Sequence, residues 1–437
     1  MITSPAFANN IWGVLGLART GRAVAAALAA SGGTVWAWDD GDTARAAFDG
    51  HLVNLNEADL TGLAGIIVSP GVPHSAPIFA AAARAGVPVI GDIELFAQAL
   101  ASQASLATMP PCRVVGITGT NGKSTTTALL HHLCRVAGIP TAMGGNIGLP
   151  ILAQDPLPAG GVWVLELSSY QLDITNSLAC DVAILTNITP DHLERHGTMA
   201  AYAGAKARLF AMQKPGSTAI VNGGAQAAWG VQRGPGHSIR IEDVALPGNQ
   251  ADWPGLQGPH NLENARAAVA AARALGIADE VIARGLASYR ALAHRMEPVG
   301  EVRGVLFIND SKATNPDSTA PALAAFAQCH WIAGGRPKLD SAGHADLSAV
   351  RPHLSHVVHA WLIGEAAPAF AAQLEGHVPV TQAGTLDAAL AGAVAAARPG
   401  DVVLFSPAAA SFDQYRDFEQ RGDAFRAAIA QLQGEAA

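Results

Sequence analysis

Short apolar, β-branched runs alternate with Ala-rich stretches of helical character along nearly the whole chain. That alternation predicts β-α-β units and parallel sheets. In the N-terminal region the pattern predicts strands at Trp12–Gly16, Thr34–Trp38, Gly65–Ser69 and Val87–Ile90, with helices at Gly21–Ala30 and Ile78–Ala85. Ala101–Pro111, built of small residues and closed by Pro-Pro, reads as a linker. Strands at Arg113–Thr118, Val162–Leu167, Val182–Leu185 and Thr218–Val221 follow, and residues 223–259 are expected to be irregular or short antiparallel strands. The helix Asn261–Leu275 closes this region. A further pattern starts near Val299, with strands at Val305–Ile308, His330–Ala333, Ala360–Ile363 and Val402–Phe405 and a last helix at Asp417–Gln431. No fixed-period repeat is visible.

Length agrees with that division. The 437 residues suggest three domains, at about 150 residues each. Half of the residues are hydrophobic and 14% are charged, enough for several cores. No stretch approaches the ~20 apolar residues of a membrane span, and Ala23–Ala30 is far too short. Met1–Asn10 lacks a basic region followed by an apolar one, so no secretory leader is expected. Four dispersed cysteines without a C-x-x-C pair argue against a disulfide scaffold or a cysteine zinc site, and fit a reducing cytoplasm. A net charge of −8 without a Lys/Arg cluster argues against nucleic acid as the main partner.

Chemistry concentrates in the middle of the chain. Gly116-Ile-Thr-Gly119-Thr-Asn-Gly122-Lys123-Ser124 follows a predicted strand and opens a predicted helix at Thr125–Val136. Glycines let backbone N–H groups turn inward around phosphate oxygens, and the helix N-terminus adds partial positive charge. Lys123 can neutralise a transferred phosphoryl group and the Ser124 hydroxyl can ligate Mg²⁺. The strict G-x-x-x-x-G-K-[ST] pattern would place Gly where Ile117 stands, so the loop is a variant. ATP or GTP binding is the expectation, against an ordinary Gly-rich turn. Glu166 ends the next apolar strand, where α/β folds place ligands. Alone it reads equally as a helix cap, a surface acid or a Mg²⁺ ligand. His192 follows another strand end. Lys206, by spacing alone, belongs on a solvated helix face.

Near the N-terminus, Gly16-Leu-Ala-Arg19-Thr20-Gly21 follows a strand, and Asp39 ends the next one. This weak glycine signature suggests a dinucleotide fold, and NAD binding is one reading of it.

Together the blocks resemble the Mur ligase family, ATP-dependent amide-forming enzymes of peptidoglycan precursor synthesis, and most of all its glutamate-adding members. The resemblance covers nearly the whole chain. It rests on Gly119–Ser124, Gly144-Gly-Asn146-Ile-Gly148, Glu166-Leu-Ser-Ser-Tyr-Gln-Leu172, Thr189-Pro-Asp-His192, His260-Asn261 with Asn264, and His294-Arg295. Asn309-Asp-Ser-Lys-Ala-Thr-Asn315 and Ser406-Pro-Ala-Ala-Ala-Ser411-Phe-Asp-Gln complete it. It implies an α/β chain of three domains: a Rossmann-like domain for a UDP-linked substrate (1–103), a central ATP-binding P-loop domain with a mostly parallel sheet (104–297), and a C-terminal Rossmann-like domain (298–437).

The implied substrates are ATP, glutamate (the D isomer) and UDP-N-acetylmuramoyl-L-alanine, with two Mg²⁺ ions, a monomeric chain and a cytoplasmic setting. By the same resemblance Gly119, Thr120, Asn121, Gly122, Lys123, Ser124 and Thr125 serve the ATP phosphates. Ser124 and Glu166 would hold one Mg²⁺, and His192 with a carbamylated Lys206 the second. Asn261, Asn264, Arg295 and Asp310 match positions for adenine, ribose and phosphates. Thr314, Lys338, Ser411 and Phe418 match positions for glutamate. Arg19, Thr20, Asp39, Ser69, Pro70, Gly71 and Asn146 match contacts of the UDP-linked substrate.

Three departures stand out. Ala18 replaces a glycine common in relatives, so the backbone approaches the diphosphate less closely. Ala409 replaces a common cysteine. Pro337 stiffens the loop before Lys338. Other readings of the residues are an amide ligase of the folylpolyglutamate or cyanophycin type, a nicotinamide-dependent oxidoreductase, and a non-catalytic nucleotide-binding module.

Overall fold

The computed structural model describes residues 1–106, 111–231, 235–337 and 345–436. They fold into two compact units, Met1–Asn249 with Glu263–Ala287, and Gln250–Leu262 with Ser288–Ala437.

The first unit holds two sheets. Strands β1 (Ile11–Leu15), β2 (Thr34–Trp38), β3 (Leu63–Val68) and β4 (Val89–Ile90) form a parallel sheet in the order β2-β1-β3-β4. Strands β5 (Arg113–Thr118), β6 (Thr141–Gly145), β7 (Val162–Glu166), β8 (Val182–Leu185), β9 (Thr218–Val221) and β10 (His237–Arg240) form the second, in the order β10-β9-β8-β5-β7-β6. All its pairings are parallel. Buried on both faces, β5, β7 and β8 read as unbroken apolar runs rather than alternating ones.

The two sheets share one apolar cluster running from Phe7 and Trp12 through Phe96 to Trp163 and Phe210. Phe96, on the helix Asp92–Leu106, meets Trp163 of β7 edge-on at 5.2 Å between ring centroids. On the same helix, Glu94 accepts from the backbone N–H groups of Asn176 (2.6 Å) and Ser177 (2.9 Å) and from the Ser177 hydroxyl (2.7 Å). A buried carboxylate is tolerated because donors surround it.

The second unit carries β11 (Glu297–Val302), β12 (Val305–Asn309), β13 (Cys329–Gly334), β14 (Val357–Ile363), β15 (Val380–Gly384) and β16 (Val402–Phe405), in the order β11-β12-β16-β13-β14-β15. Of the strand pairs in this sheet, among the described residues, only β11–β12 is antiparallel. Trp331, Leu323 and Phe370 fill one face, and Phe405, Phe425 and Ile429 the other.

Two expectations need correction. The helix Asp92–Leu106 continues into the segment expected as a linker. Of that segment, residues 107–110 lie outside the described residues. In 223–259 the strand His237–Arg240 runs parallel to β9, and Gly223–Trp229 is a helix capped by Asn222. The Asn222 side chain accepts the Ala225 N–H, which starts that helix and closes a β-α-β unit.

Candidate active site

The order of the second sheet sets β7 and β8 on either side of β5, so three strand ends open at a topological switch point. Between β5 and the helix Lys123–Val136, Gly119 (φ 146°) and Gly122 (φ 83°) adopt angles that L side chains rarely take. A Cβ on Gly119 would collide with the Thr186 hydroxyl, and one on Gly122 with the Asn264 side chain. The loop is pinned throughout. Asn121 N–H donates to Asn187 Oδ1 (2.8 Å), and the Thr186 hydroxyl donates to the Asn121 carbonyl (2.6 Å). The Thr120 hydroxyl bonds the Thr189 carbonyl and the Tyr202 hydroxyl, each at 3.1 Å.

Lys123 Nζ donates to the carbonyls of Gly119 (3.0 Å) and Thr120 (2.7 Å). Lys206 Nζ, on the helix Met199–Ala211, donates to the same Gly119 carbonyl at 2.7 Å. Spacing alone would leave Lys206 in solvent; the structure leaves it 1% exposed. Its pKa falls well below the usual lysine value, first through burial and then through the charge of Lys123, with Asp191 and Glu166 opposing. The Ser124 hydroxyl donates to Glu166 Oε2, and Asn146 Nδ2 donates to Glu166 Oε1 at 2.9 Å. Glu166 is buried. Thr125 follows on the same helix.

His192 takes a left-handed backbone (φ 54°) at the start of Leu193–His196. Its Nδ1 lies 3.2 Å from the Tyr170 hydroxyl, and its Nε2 lies 3.5 Å from Asp191 Oδ2. Among the described residues no three His, Cys, Asp or Glu side chains gather into a metal cage.

A cavity of about 400 Å³ opens beside these groups within the same unit. Arg19, Thr20, Pro70, Gly71 and Asn146, expected as substrate contacts, line it together with His192. Arg19 Nη2 reaches the Gly148 carbonyl at 3.0 Å. Ser69 faces Gly16, where a Cβ would strike the Ser69 hydroxyl. Asp39 accepts the N–H groups of Leu17 (2.6 Å) and Gly41 (2.8 Å), fixing the glycine turn, and neither Asp39 nor Ser69 is part of the cavity wall.

The sequence reading gave no role to four residues of that wall, Asp92 and, within the block Glu166–Leu172, Ser168, Tyr170 and Gln171. A signal existed for two of them. Ser168 and Gln171 form a reciprocal cap, recognisable as Ser-x-x-Gln before an apolar residue. Asp92 is buried beside Gln171, and burial pushes its carboxyl up to about 6.

In the second unit, Thr314, Asp310, Ser411 and Phe418 sit around the ends of β12 and β16. Asp310 accepts from the Ser406 hydroxyl (2.7 Å) and the Met296 N–H (3.1 Å); burial raises its pKa to about 7. Ser411 is buried. Lys312 Nζ lies 3.8 Å from the Phe418 ring centroid. Beneath them Arg421, 1% exposed, donates to the Ser311 hydroxyl and carbonyl and to the Ala409 carbonyl at 3.0, 2.8 and 3.1 Å. Burial lowers its pKa to about 10. Arg295 lies in the turn before β11. Asn261 donates to the Gln257 carbonyl at 3.0 Å. Asn264 belongs to the first unit, where its Oδ1 accepts from the Thr126 hydroxyl at 3.3 Å. Lys338 lies outside the described residues.

Known proteins share this plan. Residues 11–91 match the model of the Mur ligase MurD-like N-terminal domain, 117–234 the Mur ligase middle domain, and 294–409 the Mur ligase glutamate ligase domain. A UDP-N-acetylmuramoylalanine–D-glutamate ligase of Novosphingobium aromaticivorans is 54% identical over 99% of this chain and 97% of its own length. The protein of the same name from Zymomonas mobilis is 50% identical over 99% of this chain and its whole length. Among solved structures, the MurF ligase of Thermotoga maritima in complex with ADP aligns with a TM-score of 0.58 at 16% identity, covering 86% of this chain and 90% of that one. The UDP-N-acetylmuramate–alanine ligase of the same organism aligns at 0.56 and 16% identity, over 98% of this chain and 99% of its own. With three models in order along its length and full-length relatives at half identity or more, the chain belongs to the Mur ligase family.

Proposed function

We propose that the chain is an ATP-dependent ligase that joins D-glutamate to UDP-N-acetylmuramoyl-L-alanine in peptidoglycan precursor synthesis. The observation that carries this reading is the meeting of Lys123, Lys206, Ser124 and Glu166 around the end of β5, in a chain whose full-length relatives are named for that reaction. Its domains run 1–103, 104–297 and 298–437. It works as a monomer in the cytoplasm; among the described residues no helix is long and apolar enough to cross a membrane.

A carboxylate is a poor acyl donor because its leaving group would be an oxide. In the proposed reaction an oxygen of the alanyl carboxylate attacks the γ-phosphorus of ATP, and the bond to ADP breaks. Lys123 and the inward N–H groups of 119–125 neutralise the charge on the moving phosphoryl group. The amine of glutamate then attacks the acyl carbon and loses a proton, and the C–O bond breaks to release phosphate. Arg19, Thr20, Asp39, Ser69, Pro70, Gly71 and Asn146 hold the UDP-linked substrate. Asn261, Asn264, Arg295 and Asp310 hold the nucleotide. Thr314, Lys338, Ser411 and Phe418 hold glutamate.

Hard oxygen donors at Ser124 and Glu166 suit Mg²⁺, which commonly takes one or two carboxylates and completes its shell with nucleotide phosphates and water. Bound there and beside His192, two Mg²⁺ ions would supply further neutralisation of phosphate charge. Lys206 serves the second site as its carbamate. Burial and the nearby charge of Lys123 lower the pKa of Lys206 and so favour the neutral amine, whose lone pair can attack the carbon of CO₂, forming an N–C bond, opening one C=O π bond and releasing one proton. The product presents anionic oxygen where an ammonium would repel a cation.

The test is incubation with UDP-N-acetylmuramoyl-L-alanine, ATP, Mg²⁺ and each glutamate enantiomer, followed by mass analysis. A glutamyl product with the D isomer and none with the L isomer is expected. Failure to form it, with ATP binding intact, would leave only a nucleotide-binding module.

A further inference from the structure

The structure points to Tyr170 as a positioning residue for His192: its hydroxyl holds the imidazole in the orientation and tautomer that offer Nε2 to a divalent cation. This rests on the reading of His192 as a cation ligand.

Tyr170 lies in the cavity wall beside His192. Its hydroxyl is 3.2 Å from His192 Nδ1, and the two rings are 5.0 Å apart at 55°. The tyrosine is itself held. The Arg195 guanidinium lies 4.9 Å from its ring centroid, and Arg195 Nη1 is fixed by the Val72 carbonyl at 2.6 Å. The phenol therefore presents its oxygen to one particular ring nitrogen.

A neutral imidazole carries its proton on one nitrogen and a lone pair on the other. With the proton on Nε2, the ring faces the Asp191 carboxylate 3.5 Å away as a donor, and the Tyr170 O–H donates to Nδ1. With the proton on Nδ1, that N–H donates to the Tyr170 oxygen. The Nε2 lone pair then faces the carboxylate, two electron-rich groups whose repulsion a cation relieves. A hydroxyl both donates and accepts, so Tyr170 keeps its hydrogen bond in either tautomer. Phenylalanine could keep it in neither. Metal-binding histidines are commonly oriented through the ring nitrogen that does not touch the metal, and loss of that partner weakens the site by about 10–100-fold.

The experiment uses the full chain labelled with [¹⁵N]histidine, with the His192 ring signals assigned from His192→Asn. Mg²⁺ is titrated at fixed pH into wild type and Tyr170→Phe, a change that keeps the ring, its packing and its place under Arg195. Expected in wild type is a shift of the His192 signals from the Nε2–H to the Nδ1–H pattern. In Tyr170→Phe the midpoint should rise about tenfold, with the Mg²⁺ activation constant rising alike. Equal midpoints in the two proteins overturn the role of Tyr170 while leaving His192 a ligand. A wild-type His192 that ignores Mg²⁺ overturns both that role and the ligand reading beneath it.

Discussion

Lys123 and Lys206 donate to one and the same oxygen, the carbonyl of Gly119, at 3.0 and 2.7 Å. Two full positive charges so close, one of them buried, are costly unless one side chain sheds its proton. Lys206 is the one whose surroundings favour that, and the functional reading turns on the neutral amine.

Activity should therefore depend on dissolved CO₂. Enzyme dialysed into CO₂-free buffer is expected to lose turnover and to regain it when bicarbonate is added. Lys206→Met should lose about 100-fold or more in kcat, with no response to bicarbonate. Initial rates with and without added bicarbonate check both points; a wild type indifferent to depletion contradicts the carbamate.

Glu166→Gln keeps the shape of the side chain beside Ser124 and Asn146 and removes its charge. The expected outcome is a fall in kcat of about 100-fold and a higher Mg²⁺ requirement, with the thermal midpoint close to wild type. Rates measured across a Mg²⁺ series would expose an unchanged requirement.

Asp310 gives a pH dependence with a definite sign. Its pKa is raised to about 7 in the fold from the ordinary value of 3.8. The folded state thus binds the extra proton between those values, and its advantage is complete below the lower one and lost as pH rises through the upper one. Asp310→Asn removes this loss. The thermal midpoint of the variant relative to wild type should accordingly be higher at pH 8 than at pH 5. A gap independent of pH would count against the buried acid.

Glu94 bridges the helix Asp92–Leu106 to the turn at Asn176–Ser177. Glu94→Ala leaves backbone donors without their charged acceptor, a loss of about 3 kcal/mol. Urea unfolding should show a lower midpoint with a similar slope. A loss below about 1 kcal/mol would mean that water replaces the carboxylate.

Much of the fold was readable because buried parallel strands announce themselves. Arg113–Thr118, Val182–Leu185, Thr218–Val221 and Val402–Phe405 have the bounds expected from their apolar runs. Thr141–Gly145 escaped notice because Thr-Ala-Met-Gly-Gly has no β-branched run; its pairing with β7 makes it a strand. Glu297–Val302 escaped because Pro298 and Gly300 mark an edge strand, visible only once β12 is beside it. In the site, the glycine–lysine–serine loop could be read directly from its letters. The burial of Lys206 could not, since the groups that enclose it come from distant strand ends. Nor could the place of Tyr170, which depends on a histidine 22 residues further along the chain.

The walls around Gly119 and Gly122 bear on drug resistance. Thr186 and Asn264 fill the space that any larger side chain would need, and both backbones turn the way that side chains resist. A compound that imitates the nucleotide's phosphates against this loop would thus confront positions where nearly every mutation harms the enzyme itself. Escape variants would have to arise at sites more distant from the turn.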